Sequence, residues 1–133
     1  MRTWLILVLL LMAPLAPASE QTDAAVASSA GWLRQLDQGE YAAAYGSSGS
    51  LMREEVPFET WRAAIEQARQ PLGQTVKREL TYGALEKVLP GLARGQYAQL
   101  RFRTAFANRE AVTEHVTLML EDEQWRTIGY FIQ

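Results

Sequence analysis

The chain has no cysteine and a single histidine, and the two scarcities narrow the chemistry open to it. A cysteine nucleophile, a disulfide framework and a thiolate metal cluster are excluded. His115 is the one imidazole available to a serine triad or a zinc site, and no set of carboxylates is spaced to complete either. Neither sign of charge dominates: 13 basic against 15 acidic side chains leave a net charge of −2, which argues against a nucleic-acid partner. No cofactor or metal is expected. The small-residue cluster Gly46-Ser47-Ser48-Gly49-Ser50 matches neither a phosphate-binding loop nor a nucleophile elbow, and reads as a connection between helices.

One apolar run stands out. Arg2 precedes a nearly unbroken apolar stretch from Trp4 to Met12, followed by Ala13 to Ala18, in which Ala16-Pro17-Ala18 places small residues where a signal peptidase reads. The stretch is too short to cross a bilayer as a helix, which takes about 20 residues. No cysteine follows it, so a lipid anchor is excluded. The expectation is a signal peptide over 1–18, cleaved after Ala18, and a periplasmic or secreted single domain over 19–133 with no membrane span.

Helical spacing comes first in that domain. Ala25, Ser29, Trp32, Leu33 and Leu36 recur on one face between Thr22 and Gln38, and Gly39 supplies a stop. Gly31 within this helix costs about 1 kcal/mol relative to alanine, so close packing is expected there. A short helix is predicted over Tyr41–Tyr45. Phe58, Trp61, Ile65 and Ala68 mark another, with Pro57 at its start.

From Thr75 the period changes to two, and turn signals at Leu89-Pro90-Gly91, Asn108 and Glu121 to Gln124 divide a four-strand antiparallel meander. Centring the second hairpin on Arg109 opposes Thr104 to Glu114 and Phe102 to Val116. Centring the third on Gln124 opposes Leu118 to Tyr130 and Leu120 to Ile128. One face then carries Leu100, Phe102, Val116, Leu118, Leu120, Ile128, Tyr130 and Ile132, fit to receive the helices. The other carries Arg101, Arg103, His115, Thr117, Met119 and Phe131. The fold class is therefore α+β, with N-terminal helices on a curved four-stranded antiparallel sheet, similar in layout to the nuclear transport factor 2-like and cystatin-like folds.

Several short patterns stand in order along the domain: Asp37-x-Gly39-x-Tyr41, Trp61, Arg69-x-Pro71-Leu72-Gly73, Leu89-Pro90-Gly91 and Gly95-x-Tyr97. Phe102-x-Thr104-x-Phe106-Ala107, Glu114-x-Val116-Thr117-Leu118 and Trp125-Arg126-x-x-Gly129-Tyr130-x-Ile132 follow. Together they resemble the bacterial exported family catalogued as domain of unknown function 4019, over nearly all of the domain. The resemblance implies export from a bacterial cell and a compact α+β domain, and supplies no activity, cofactor or catalytic residue. Two departures stand out. Asp122-Glu123-Gln124 lacks the family's glycine before the last tryptophan, which favours a longer loop over a tight turn. Tyr45 replaces an expected tryptophan, which loosens the packing of the short helix.

Two functional readings follow. In the first, the domain is a non-catalytic binding or protein-interaction module. Arg101, Arg103, Met119 and Phe131 would form its interaction surface, for a homodimer or another envelope protein, because an apolar Met119-Phe131 patch is not normally left wet. A small apolar ligand would instead lie between helices and sheet, against Trp32, Trp61, Tyr82 and Tyr130. In the second reading, Glu114 beneath the helices is a base and Tyr130 an oxyanion donor for proton abstraction next to a carbonyl, in an isomerase or dehydratase. The plainer alternative has Glu114 bonded to Thr104 and Tyr130 filling the core. His115 is read as a surface residue beside Arg103, and Glu121-Asp122-Glu123 as a solvated turn.

Overall fold

A computed structural model describes residues 17–133. The apolar run read as a signal peptide lies, up to residue 16, outside the described residues. The first helix, α1, spans Ala18–Asp37 and starts four residues earlier than its spacing predicts. Its buried face is the expected one, Ala25, Ser29, Trp32, Leu33 and Leu36. Helix α2 covers Tyr41–Ser47, α3 Ser50–Glu55 and α4 Phe58–Arg69, followed by a single 3-10 turn over Gln70–Leu72.

Helix α3 stands next to a segment whose composition predicts only a connection, and its cause is not local. Ser50, its first residue, donates both its backbone N–H and its hydroxyl to Glu121 Oε2, each at 3.1 Å. A carboxylate from the far side of the sequence thus caps this helix, satisfying its first N–H, which its own sequence leaves open. Gly49 just before it must stay small, because a Cβ there would sit 2.7 Å from Ile128 Cγ2. Gly31 does not follow the same logic: nothing lies within 4 Å of a Cβ at that position, so close packing is not its reason. Tyr45 is tied down instead of loose. Its ring packs on Phe58 and Trp61, with centroids 5.3 and 5.5 Å away, and its hydroxyl donates to the Val56 carbonyl at 2.8 Å.

Strands β1 (Thr75–Glu86), β2 (Tyr97–Phe106), β3 (Arg109–Glu121) and β4 (Gln124–Ile132) form one antiparallel meander in sequence order. The β2–β3 register is displaced by two residues from the expected one: Phe102 faces Glu114 and Thr104 faces Val112. Because side chains alternate with a period of two, that displacement preserves every face assignment. The β3–β4 hairpin closes through Asp122 and Glu123, with φ of 49° and 64°, between the paired residues Glu121 and Gln124. This is the tight two-residue turn that the missing glycine argues against. A bulge then sets Val116 opposite Tyr130 but Leu118 opposite Thr127, leaving Ile128 as the extra residue. Trp125 and Thr127 replace Ile128 in the helix-facing row.

The helices lie on the face bearing Leu100, Phe102, Val116 and Leu118, and with Trp32, Leu33, Leu36, Met52, Trp61 and Ile65 these form the main core. A smaller cluster of Leu72, Phe106 and Val112 closes the end of the sheet where α4 finishes. On α4 the third buried position after Trp61 and Ile65 is Arg69, while the expected Ala68 is exposed. A guanidinium on an apolar stripe needs partners, and they define the polar centre of the molecule.

Candidate functional site

Glu114 on β3 has no solvent-exposed surface, and four donors converge on its carboxylate. Oε1 accepts from Thr104 Oγ1 at 2.5 Å and from Arg78 Nε at 2.7 Å. Oε2 accepts from Arg69 Nη1 at 3.1 Å and from the Tyr130 hydroxyl. The two guanidinium groups also share Asp37, at the C-terminal end of α1. Arg69 Nη2 lies 2.5 Å from Asp37 Oδ1, and Arg78 Nη1 lies 2.8 Å from Oδ2. Asp37, Arg69, Glu114 and Arg78 thus close a ring of alternating charge. Thr75 completes it by donating to Asp37 Oδ1 at 2.7 Å. The ring joins α1, α4 and, through Arg78, Thr104, Glu114 and Tyr130, all four strands.

Its electrostatics follow from closure. Two carboxylates and two guanidinium groups cancel, which is the condition for holding charges out of water. Burial by itself would raise Asp37, but hydrogen bonds from Arg78, Thr75 and Arg69 hold it below the usual carboxylate value. Burial also opposes the charge of Arg78, and bonds to Asp37 and Glu114 more than restore it. Tyr130 is pushed well above an ordinary phenol, by burial and then by the negative charge of Glu114, so its proton stays on the oxygen. A cleft of about 510 Å³ reaches the Asp37–Arg69 edge of the ring, while Glu114 stays beneath it.

Glu114 and Tyr130 lie under the helices as the strand pattern predicts, and the structure brings them into direct contact. A base must have a free lone pair within reach of a substrate proton. Both Glu114 oxygens already hold two donors each, and the Tyr130 proton is committed to Glu114, so the pair acts as a hub of internal bonds. Asp37, Arg69 and Arg78 are not among the site residues that the sequence predicts. The signal for Arg69 is legible, as the continuation of the Trp61-Ile65 stripe. That for Arg78 is not, because a strand arginine looks the same whether it meets water or a buried acid.

Of the four residues assigned to a ligand pocket, three meet beneath the helices and the fourth, Tyr82, does not join them. Trp32 and Trp61 meet edge to face at 6.1 Å, and Trp32 and Tyr130 lie 5.3 Å apart, so these rings fill one another's space. The Trp32 indole N–H is satisfied by the Ala44 carbonyl and Ser48 Oγ, both at 3.0 Å. Tyr82 is on the opposite face of the sheet. A bulge between Leu80 and Tyr82 sets it across from Arg101, whose guanidinium lies 4.1 Å from the ring centroid.

On that outer face the structure forms a row the sequence does not foretell. Tyr82, Arg101, His115 and Phe131 are paired in succession across β1, β2, β3 and β4. The His115 ring stacks flat on Phe131, with centroids 4.2 Å apart, and its Nε2 is 3.0 Å from Gln133 Oε1. His115 therefore stands beside Arg101 and not Arg103, which lies in the next row opposite Glu79 and Thr113. Phe131 is 56% exposed and Tyr82 40%. Met119 does not join this patch. It is half-buried opposite Tyr97, four residues from His115 along β3, a distance of about 13 Å in an extended strand. Tyr97 is itself covered and donates its hydroxyl to the Ala93 carbonyl in the β1–β2 connection at 2.5 Å.

Among the described residues no helix is long and apolar enough to cross a membrane, and no group of three or more potential ligands is placed to hold a metal ion. The model of the family described as "Protein of unknown function (DUF4019)" matches residues 28–130. No curated protein matches the chain. Among solved structures, Aln2 from a Streptomyces species is similar with a TM-score of 0.56 and 12% identity, covering 90% of this chain and 93% of its own. At that identity the likeness shows the fold alone: helices on a curved antiparallel sheet in the nuclear transport factor 2-like manner.

Proposed function

The chain belongs to the DUF4019 family, which brings no activity with it, and we propose from its own surfaces that it is an exported, non-catalytic interaction module. The observation that carries this reading is the row of Tyr82, Arg101, His115 and Phe131, which crosses the whole outer face and leaves two aromatic rings wet. Aromatic and arginine side chains contribute most of the energy at protein interfaces. With Arg103 in the adjoining row, the face offers apolar edges around a cationic centre, suited to a partner with an acidic patch. The partner is a second copy of the chain or another envelope protein. The closed ring around Glu114 supports the non-catalytic part, since it leaves no lone pair for a substrate proton.

Native mass spectrometry of the protein taken from its own envelope tests the reading. A companion mass or dimer is expected, and the pair of substitutions Arg101→Glu and Phe131→Ser should abolish it. A lone monomer, or a companion that survives both substitutions, sinks the proposal. The export part rests on the apolar run before Ala18. It predicts that the same spectrum shows a chain beginning at Ser19, and a chain retaining Met1 contradicts it.

A further inference from the structure

Away from the ring and the outer row, a cavity of about 620 Å³ lies between the first turn of α1 and the neighbouring ends of β1, β2 and β4. Leu85, Tyr97 and Trp125 give it apolar walls, and Glu86, Lys87 and Arg94 stand at its rim. Its volume is in the range that ordinary small-molecule sites occupy. Among the described residues four acids, Glu59, Glu66, Asp37 and Glu114, form ion pairs, with Arg62, Arg69 and Arg78, and neither Lys87 nor Arg94 has such a partner. Ala18 also lines the cavity, so cleavage after it would add the α-ammonium of Ser19 at this end of α1 to Lys87 and Arg94, and against Glu86 alone the rim is positive.

We propose that this cavity binds an amphipathic monoanion, an aliphatic carboxylate of medium chain length, a conclusion that rests on the domain's being a binding module. The tail would lie along Leu85 and Trp125, where removing its methylenes from water favours binding. The carboxylate would sit between Lys87 and Arg94, which supply the charge-assisted bonds that an anion needs on leaving water. An anionic head group matches the positive rim, and a cationic head group does not.

Isothermal titration of the mature protein, beginning at Ser19, with dodecanoate, and separately with dodecyltrimethylammonium, tests this. The expected result is saturable binding of one dodecanoate per chain, with the cationic analogue at least about tenfold weaker, a difference of about 1.4 kcal/mol. The exposed pair Lys87→Glu and Arg94→Glu should weaken dodecanoate by a similar factor while far-ultraviolet circular dichroism stays unchanged. Absence of saturable binding, equal affinity for the two head groups, or indifference to the charge reversal overturns the proposal. None of those outcomes touches the outer-face reading, whose Arg101 and Phe131 do not line this cavity.

Discussion

Arg69 and Glu114, 45 residues apart in the chain, meet at 3.1 Å with side chains 7% and 0% exposed. The contact ties the last turn of α4 to the interior of the sheet. Removing one member of such a pair strands the charge of the other, which costs more than the pair itself contributes. Glu114→Gln keeps the volume and leaves Arg69 and Arg78 with Asp37 alone. It should lower unfolding stability by about 3–5 kcal/mol in urea denaturation. Combining Glu114→Leu with Arg69→Met should cost less than the sum of the two single changes, by about 0.5–3 kcal/mol. A loss under about 1 kcal/mol for Glu114→Gln would mean that the ring does not hold the layers together.

Asp37 sets an acid limit on the fold. Its folded pKa lies below the ordinary value of 3.8 because Arg78, Thr75 and Arg69 bond its charged form. A depressed carboxylate stabilises the native state above its unfolded pKa, and that contribution fades as pH falls through the folded one. Denaturation midpoints measured from pH 6 to about pH 2 should therefore drop more steeply for the natural chain than for Asp37→Asn in the region below about pH 4. The variant should be the weaker of the two at neutral pH, and parallel curves would rule out Asp37 as the acid-sensitive group.

The β3–β4 turn offers the opposite case, a place where the sequence is not optimal for its backbone. Asp122 and Glu123 both have positive φ, a region that costs a residue with a Cβ about 1–2 kcal/mol. Glu123→Gly would create the Asp-Gly pair that such hairpins favour, against an entropic cost of about 0.5–1 kcal/mol for the added glycine. A net gain of about 0.5–1 kcal/mol is expected, read as a rise in thermal midpoint of several degrees. A lower midpoint would show that the turn is held by something other than its own torsions.

The strands and their faces are legible in the residues because a period of two survives errors of two. Leu118 and Tyr130 face the helices although the residues opposite them differ from those that the turn positions predict. Bulges are not legible. A single extra residue at Ile128 or before Tyr82 leaves no mark on local composition, yet it moves Ile128 out of the core row and puts Tyr82 on the outer face. Helix α3 escapes a sequence reading for a related reason, since its cap, Glu121, is 71 residues away from Ser50.

Glu114 and Tyr130 can be found because a carboxylate and a phenol on an apolar face call for an explanation in any register. Their partners need coordinates: Asp37 and Arg78 lie in segments whose patterns fit a solvated end or an edge strand equally well.

By itself the sequence determined the class of the domain, the buried stripe of α1 and the start of that of α4, and the two faces of the sheet away from its bulges, because these follow from periodicity that neighbouring residues carry. Only the tertiary structure decided that Glu114 is locked in a ring of charge and that Tyr82, Arg101, His115 and Phe131 share one row. Charge pairing and cross-strand adjacency depend on distances between segments far apart in the chain, and the order of residues along a strand does not encode those distances.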